Sequence, residues 1–385
     1  MEEQAPQDPG ARKDRRTTHG HTGITALRLV TLATCLTFAL MLATAPPREA
    51  PMVGTIGAGC SYELDERAGT LTIHPTDGVS GEMARVRDAL PDEDLRHAVK
   101  SVTVEEGVLA PADSGYLFGG LYAMEALDLS GLDTSRVTDM HLMFYVCSSL
   151  TSLDLSPLDT SQVTNVSSPY GVGMFSNCSS LRSLDLSPLD TSQVTDMRRM
   201  FDGCFSLRSI DLSGLDTSRV TNMSEMFSDC SSLTSLDLSP LKTSRVIDMR
   251  SMFYGCASLA SLDTSHLDTS KVTGMSGMFC GCASLPSLDL SGWDTSGVGG
   301  MWGMFQGCAS LSSLAVGERC GNVLSTDMHT SLPAGVGGMG WHSERDKRWL
   351  TTGELSSSRQ GVADTYTAPE AWRSLVSPQA AQASP

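Results

Sequence analysis

The tripeptide Asp-Thr-Ser begins at Asp133, Asp159, Asp190, Asp216, Asp268 and Asp294, and Lys242-Thr243-Ser244 stands where one further copy falls. Successive copies are 26, 31, 26, 26, 26 and 26 residues apart. Met-Phe keeps the same beat at Met143, Met174, Met200, Met226, Met252, Met278 and Met304, and so does cysteine at Cys147, Cys178, Cys204, Cys230, Cys256, Cys282 and Cys308. Self-similarity at a period of roughly 20–50 residues is the mark of a stacked-repeat architecture. One unit of this size cannot bury its own apolar face. Stacked units bury it against each other, which predicts a nearly one-dimensional core and a ribbon of parallel strands.

Within a unit, Leu153-Asp154-Leu155 and its copies Leu184-Asp185-Leu186 and Leu236-Asp237-Leu238 alternate apolar and polar, as a short half-buried strand does. Ser-Pro or Ser-Gly and then Leu-Asp-Thr-Ser follow, which is turn chemistry. Val-Thr-Asp-Met alternates again. Met197, Met200, Phe201, Cys204 and Leu207 then fall at three- and four-residue spacing, which predicts one apolar face of about three helical turns. The expected fold is therefore an α/β repeat solenoid, leucine-rich-repeat-like, with about 26 residues per coil. Residues 125–316 hold the seven repeats. Residues 54–124 are expected to form a small β-rich cap, with strands at Thr70–Ile73 and Val102–Val104 and a helical stretch from Glu82 to Val99 interrupted at Pro91. Residues 317–368, with Trp341, Trp349 and Tyr366, form a closing segment, and 369–385 read as a disordered tail.

The unit resembles that of the BspA-type leucine-rich-repeat surface proteins of bacteria, and Ile210-Asp211-Leu212-Ser213 through Cys230 is a good single example. The resemblance extends upstream to Cys60-Ser61-Tyr62-Glu63-Leu64-Asp65 and Gly69–Pro75, and downstream to the stretch from Trp341 to Thr367. It implies a secreted or surface-displayed protein, adhesin-like, that contacts host matrix or bacterial partners.

Residues 1–50 look like a targeting segment. Arg12, Lys13, Arg15, Arg16 and Arg28 precede an uncharged run from Leu29 to Pro47, and Ala43-Thr44-Ala45 offers a cleavage site. A cleaved signal peptide and an uncleaved signal anchor are both open. The expected location is extracellular, free or at the cell surface, with membrane contact only through this apolar run. A net charge of −17 disfavours nucleic acid, whose affinity rests on phosphate neutralisation. No H-E-x-x-H spacing, G-x-S-x-G elbow or phosphate-binding Gly-Lys loop occurs, so no enzyme and no cofactor is expected.

Several features are candidates for chemistry, each beside a plainer reading. The cysteine column reads as buried free thiols packing as small hydrophobes. Off the column, Cys280 and Cys320 are a disulfide candidate. The ladder containing Asp154, Asp185, Asp211 and Asp237 is either a set of turn caps or a file of calcium ligands. The Met and Cys sulfurs read as core and not as a soft-metal site. Partner contacts are expected at Tyr170, in a five-residue insertion, and at Trp293 and Trp302 in the last repeat. Arg219, Arg245 and Lys271 belong to a polar file just after Thr-Ser and are further candidates. The function expected is non-catalytic binding of a protein or other extracellular macromolecule. The alternative is a structural spacer at the surface, and an enzyme ranks last.

Overall fold

The computed structural model describes residues 50–324, 340–351, 354–355 and 362–368. The expected targeting segment, apart from Ala50, and the expected tail lie outside the described residues. Among the described residues, no helix is long and apolar enough to cross a membrane.

The repeats stack as a β-solenoid of about nine turns, with about 26 residues per coil and mostly parallel pairing. Leu and Val at alternate positions of each unit point inward. Ser287–Leu290 pairs in parallel with Ser313–Val316, so that Leu288 and Leu290 meet Leu314 and Val316 on the buried face. Ser235–Leu236 pairs with Ser261–Leu262 in the same one-unit register. A second file of parallel bridges links Asp196 to Asn222, Asn222 to Asp248, Asp248 to Gly274 and Gly274 to Gly300. Phenylalanine forms the spine. From Phe118 to Phe305 the rings stack coil on coil, with centroids 5.4–6.1 Å apart and planes within 14° of parallel. Such contacts add roughly 0.5–1.5 kcal/mol each beyond the area they bury.

The predicted helix is absent, and with it the α/β character of the unit. The three- and four-residue spacing of Met, Phe, Cys and Leu is real, and all of these side chains are buried. The backbone between them turns corners. The residue two after Phe enters the left-handed region in each coil (Val146, Asn177, Asp229, at φ +56 to +62, and glycine elsewhere), and the one two before it does so in every coil but that of Phe175 (Leu142, Arg199, Glu225, Ser251, at φ +53 to +58). A left-handed residue ends an α-helix. The amide groups bond across coils instead. The Phe N–H donates to the Met carbonyl of the following coil at 2.9–3.0 Å, as in Phe144 to Met174, Phe201 to Met226 and Phe253 to Met278.

Asp-Thr-Ser is a staple between coils. Each threonine is buried, and from Thr134 to Thr269 its hydroxyl both donates to the carbonyl and accepts the N–H of the residue that precedes the next coil's threonine. Thr134 does so with Asp159, Thr191 with Asp216 and Thr243 with Asp268. Aspartate closes the turn beside it by accepting the N–H of the serine two residues on, at 2.9–3.0 Å.

The solenoid begins earlier than the sequence markers do. Within 54–124 the strands Thr70–Pro75 and Ser101–Val104 pair in parallel, and the latter pairs in parallel with Ala126–Asp128, the first strand of the marked repeats. Phe118 already takes its place in the aromatic stack. The stretch expected to be helical holds two short helices, Val86–Ala89 and Glu93–Ala98, on either side of Pro91. At the outer edge of this first sheet the pairing is antiparallel, Met52–Thr55 with Cys60–Asp65 and Cys60–Asp65 with Thr70–Pro75. At the other end Asp364–Thr367 pairs antiparallel with Ser313–Val316, and Trp341–Ser343 and Arg348–Leu350 extend that sheet.

Candidate binding face

The corners that replace the expected helix carry side chains that vary from coil to coil. Counted from each Phe, the positions three before, two before and one after lie at the corner; most are exposed or half-buried, while Gly173, Ser176, Ser224 and Ser228 are buried. They change freely while the Met, Phe and Cys between them do not. Three before Phe stand His141, Arg198, Ser224, Arg250, Ser276 and Trp302. One after stand Tyr145, Ser176, Asp202, Ser228, Tyr254, Cys280 and Gln306. The position two before is the floor between these two files. It is filled at Arg199 and Glu225, whose side chains pair at 2.6 Å. It shrinks to Ser251, Gly277 and Gly303 in the next three coils.

A groove of about 440 Å³ opens where the floor shrinks. Ser224, Glu225, Arg250, Tyr254, Ser276, Cys280, Trp302 and Gln306 are among its walls. Trp302 is 66% exposed and Tyr254 43%. Of the residues singled out from sequence, the groove gathers Trp302 and Cys280. Tyr170, Arg219, Arg245 and Lys271 do not line it. Tyr170 is 90% exposed at the tip of the insertion, where Ser168 accepts the Gly171 N–H and donates to the Val172 carbonyl. Arg219, Arg245 and Lys271 are exposed, and Arg219 donates to Gln193 one coil earlier at 2.6 Å. Glu225, Arg250, Tyr254 and Gln306 were missed. The signal for them was the thinning of the floor at positions 251, 277 and 303.

Three expectations are corrected. Trp293 is buried, at 1% exposure, and presents nothing to a partner. It occupies the column of Leu132, Leu158, Leu189, Leu215, Leu241 and Leu267, so it belongs to the core for the reason those leucines do. Cys280 and Cys320 are unpaired, and Cys320 is buried beside Thr295, whose side chain bonds to it. The aspartates Asp154, Asp185, Asp211 and Asp237 do not gather into a cation site among the described residues. Each accepts the N–H of Ser156, Ser187, Ser213 or Ser239 at 2.9 Å and caps its own turn. These bonds hold the carboxyl groups of Asp154, Asp211 and Asp237 below the ordinary carboxylate range.

One triad of ligand-type side chains does meet among the described residues, at Asp113, Asp139 and His141. Its oxygens are already engaged. Asp139 bonds the His141 ring at 2.6 Å and accepts from Asn165 at 2.8 Å, and Arg85 pairs with Asp113 at 3.2 Å. A guanidinium supplies the positive charge there, so the triad is a polar junction between coils.

The column cysteines are free thiols, and they do more than fill space. Each Sγ–H donates to the Phe carbonyl of the preceding coil, at 3.0–3.4 Å, from Cys147 to Cys308. Burial pushes Cys178, Cys256 and Cys308 up to about 12 and raises Cys147, Cys204 and Cys230 well above the ordinary value. These thiols stay neutral in the folded chain while the same groups ionise when it unfolds. Their contribution is therefore complete below the ordinary thiol pKa and fades as pH climbs from about 9 towards 12. Urea midpoints across that range are expected to fall with pH. A chain with Cys204, Cys230 and Cys256 replaced by alanine should fall less steeply, and parallel pH profiles for the two chains would refute the thiol origin.

A family model described as "Mycoplasma protein of unknown function, DUF285" matches residues 114–232, 170–262 and 236–316. No curated protein matches the chain.

Proposed function

From the premise that this chain belongs to the DUF285 family, described only as a protein of unknown function, we propose that it is a non-catalytic, extracellular binding protein that holds a macromolecular partner on the corner face. One observation carries the reading. The inward columns of the corner repeat Met, Phe and Cys, while the outward columns differ from coil to coil and expose Tyr254 and Trp302, and the insertion beside them exposes Tyr170. A stack needs only the inward columns, so the surface is at liberty to serve recognition. The likeness to BspA-type surface proteins and the basic and apolar N-terminal run support an exported, adhesin-like role.

Purified full-length chain, titrated onto immobilised host matrix proteins and onto partner bacteria, tests this. Saturable binding that weakens when Tyr170 or Trp302 is replaced by serine is the expected result. Uniform failure across the panel would favour a spacer without a specific ligand. That rival draws on the pairing of surface charges within the molecule, as in Lys242 with Asp216 and Arg319 with Asp294.

A further inference from the structure

We propose that the Tyr254–Trp302 groove is a binding site for an uncharged saccharide chain. The inference rests on the reading of the corner face as a recognition surface and names the chemistry that this part of it takes.

The groove exists because of its floor. Ser251, Gly277 and Gly303 replace the Arg199–Glu225 pair that fills the same channel in the two preceding coils. Two aromatic side chains then stand at its sides, two coils apart, which is about 10 Å along the stack. Trp302 is 66% exposed and Tyr254 43%. Exposed aromatic surface on a soluble protein marks a contact site. An aromatic ring offers a flat apolar plate with a negative face, to which the weakly positive C–H face of a pyranose is complementary. Polar side chains at the rim, among them Ser276 and Gln306, supply hydroxyl and amide partners for ring hydroxyls. A few placed polar groups around apolar plates are what orient a small ligand.

The charges point to a neutral ligand. Glu225 receives the Arg199 guanidinium at 2.6–2.7 Å, and Arg250 is fastened to both carboxylate oxygens of Asp248. Each charge at the groove is thus compensated within the protein. An anionic or cationic ligand gains little there, and a polyol loses little.

The backbone points away from an extended peptide. Strand addition needs main-chain N–H groups at a sheet edge. Here the floor N–H groups are engaged between coils: Glu225 donates to Arg250, Ser251 to Ser276 and Gly277 to Trp302, at 2.7–2.8 Å. Recognition in the groove falls to side chains.

The test is isothermal titration of the full-length protein with maltohexaose, cellohexaose, xylohexaose and the hexamer of N-acetylglucosamine, with decaproline as the peptide arm. Saturable binding of at least one hexasaccharide is expected. Trp302→Ala and Tyr254→Ala should each weaken it about tenfold, the loss of one stacking partner. Ser251→Arg should abolish it by refilling the floor. Arginine is accommodated at this left-handed position in Arg199, so unchanged circular dichroism and melting are expected for that variant. Failure of all four sugars overturns the proposal. So does decaproline binding that Trp302→Ala removes, or sugar binding that survives both Trp302→Ala and Ser251→Arg. Attachment to matrix or cells that persists through these substitutions and through excess hexasaccharide overturns the saccharide site while leaving the binding role intact.

Discussion

Truncating Trp293 to alanine is expected to lower the unfolding free energy by about 3–5 kcal/mol, the usual range for a fully buried Trp. The indole sits in a leucine column, packs on Phe279 with ring centroids 6.1 Å apart, and donates its N–H to the Thr264 carbonyl at 3.2 Å. It fits because of a second departure from the repeat. Thr264 stands where Leu155, Leu186, Leu212, Leu238 and Leu290 stand in other coils, so a smaller side chain lies opposite the larger one. The two changes compensate each other in volume. Trp293→Leu alone leaves a cavity and costs about 2 kcal/mol. Thr264→Leu alone overfills the site and costs about 1–3 kcal/mol. Together they restore the consensus columns and should recover most of both losses. Urea denaturation of the four chains measures the coupling, and additive single effects would show that the sites share no space.

The second large effect is expected at Thr217. It is fully buried, donates to the Lys242 carbonyl at 3.1 Å and accepts the Lys242 N–H at 2.7 Å. Thr217→Val keeps the shape and removes both bonds. The part-buried carbonyl and N–H of Lys242 then lose the partner this hydroxyl supplied, so a loss of about 1–3 kcal/mol is expected. Thr217→Ser keeps the hydroxyl and should lose much less. Chemical denaturation separates the two variants. Equal stability of the valine and wild-type chains would remove the staple from the account of what joins the coils.

Much of the stack was legible in the sequence, because a solenoid repeats its constraints. Period, inward columns and aspartate turns all follow from residues that recur in phase. The corner did not follow, for a definable reason. Buried residues at three- and four-residue spacing satisfy a helix and a sharply turning corner equally well. What distinguishes them is the residue two after Phe. It is Asn177, Gly203, Asp229, Gly255, Gly281 and Gly307 in successive coils, all types that tolerate positive φ, and a helix interior has no need of them. The two early turns were hidden because only Leu117-Phe118 and Leu121 survive there of the Met-Phe and Cys markers. Trp293 looks like a surface anchor by its size, but its phase in the repeat is that of the buried leucines. Trp302 and Cys280 in the groove are conspicuous in the sequence, but the channel between them depends on the small residues of its floor, Ser251, Gly277 and Gly303.

The antiparallel strands at the two ends have a consequence for the fate of the protein in a crowded solution. Every coil presents to the next a row of unpaired main-chain groups that fits a copy of itself, which is also the condition for fibril growth. A stack of identical rungs has no internal reason to stop. Met52–Thr55 with Cys60–Asp65 at one end, and Asp364–Thr367 with its neighbours at the other, reverse the chain direction and turn a different edge outward. They act as chain terminators for an otherwise self-templating polymer, so their removal would release the seeding surface that the repeat carries in each of its turns.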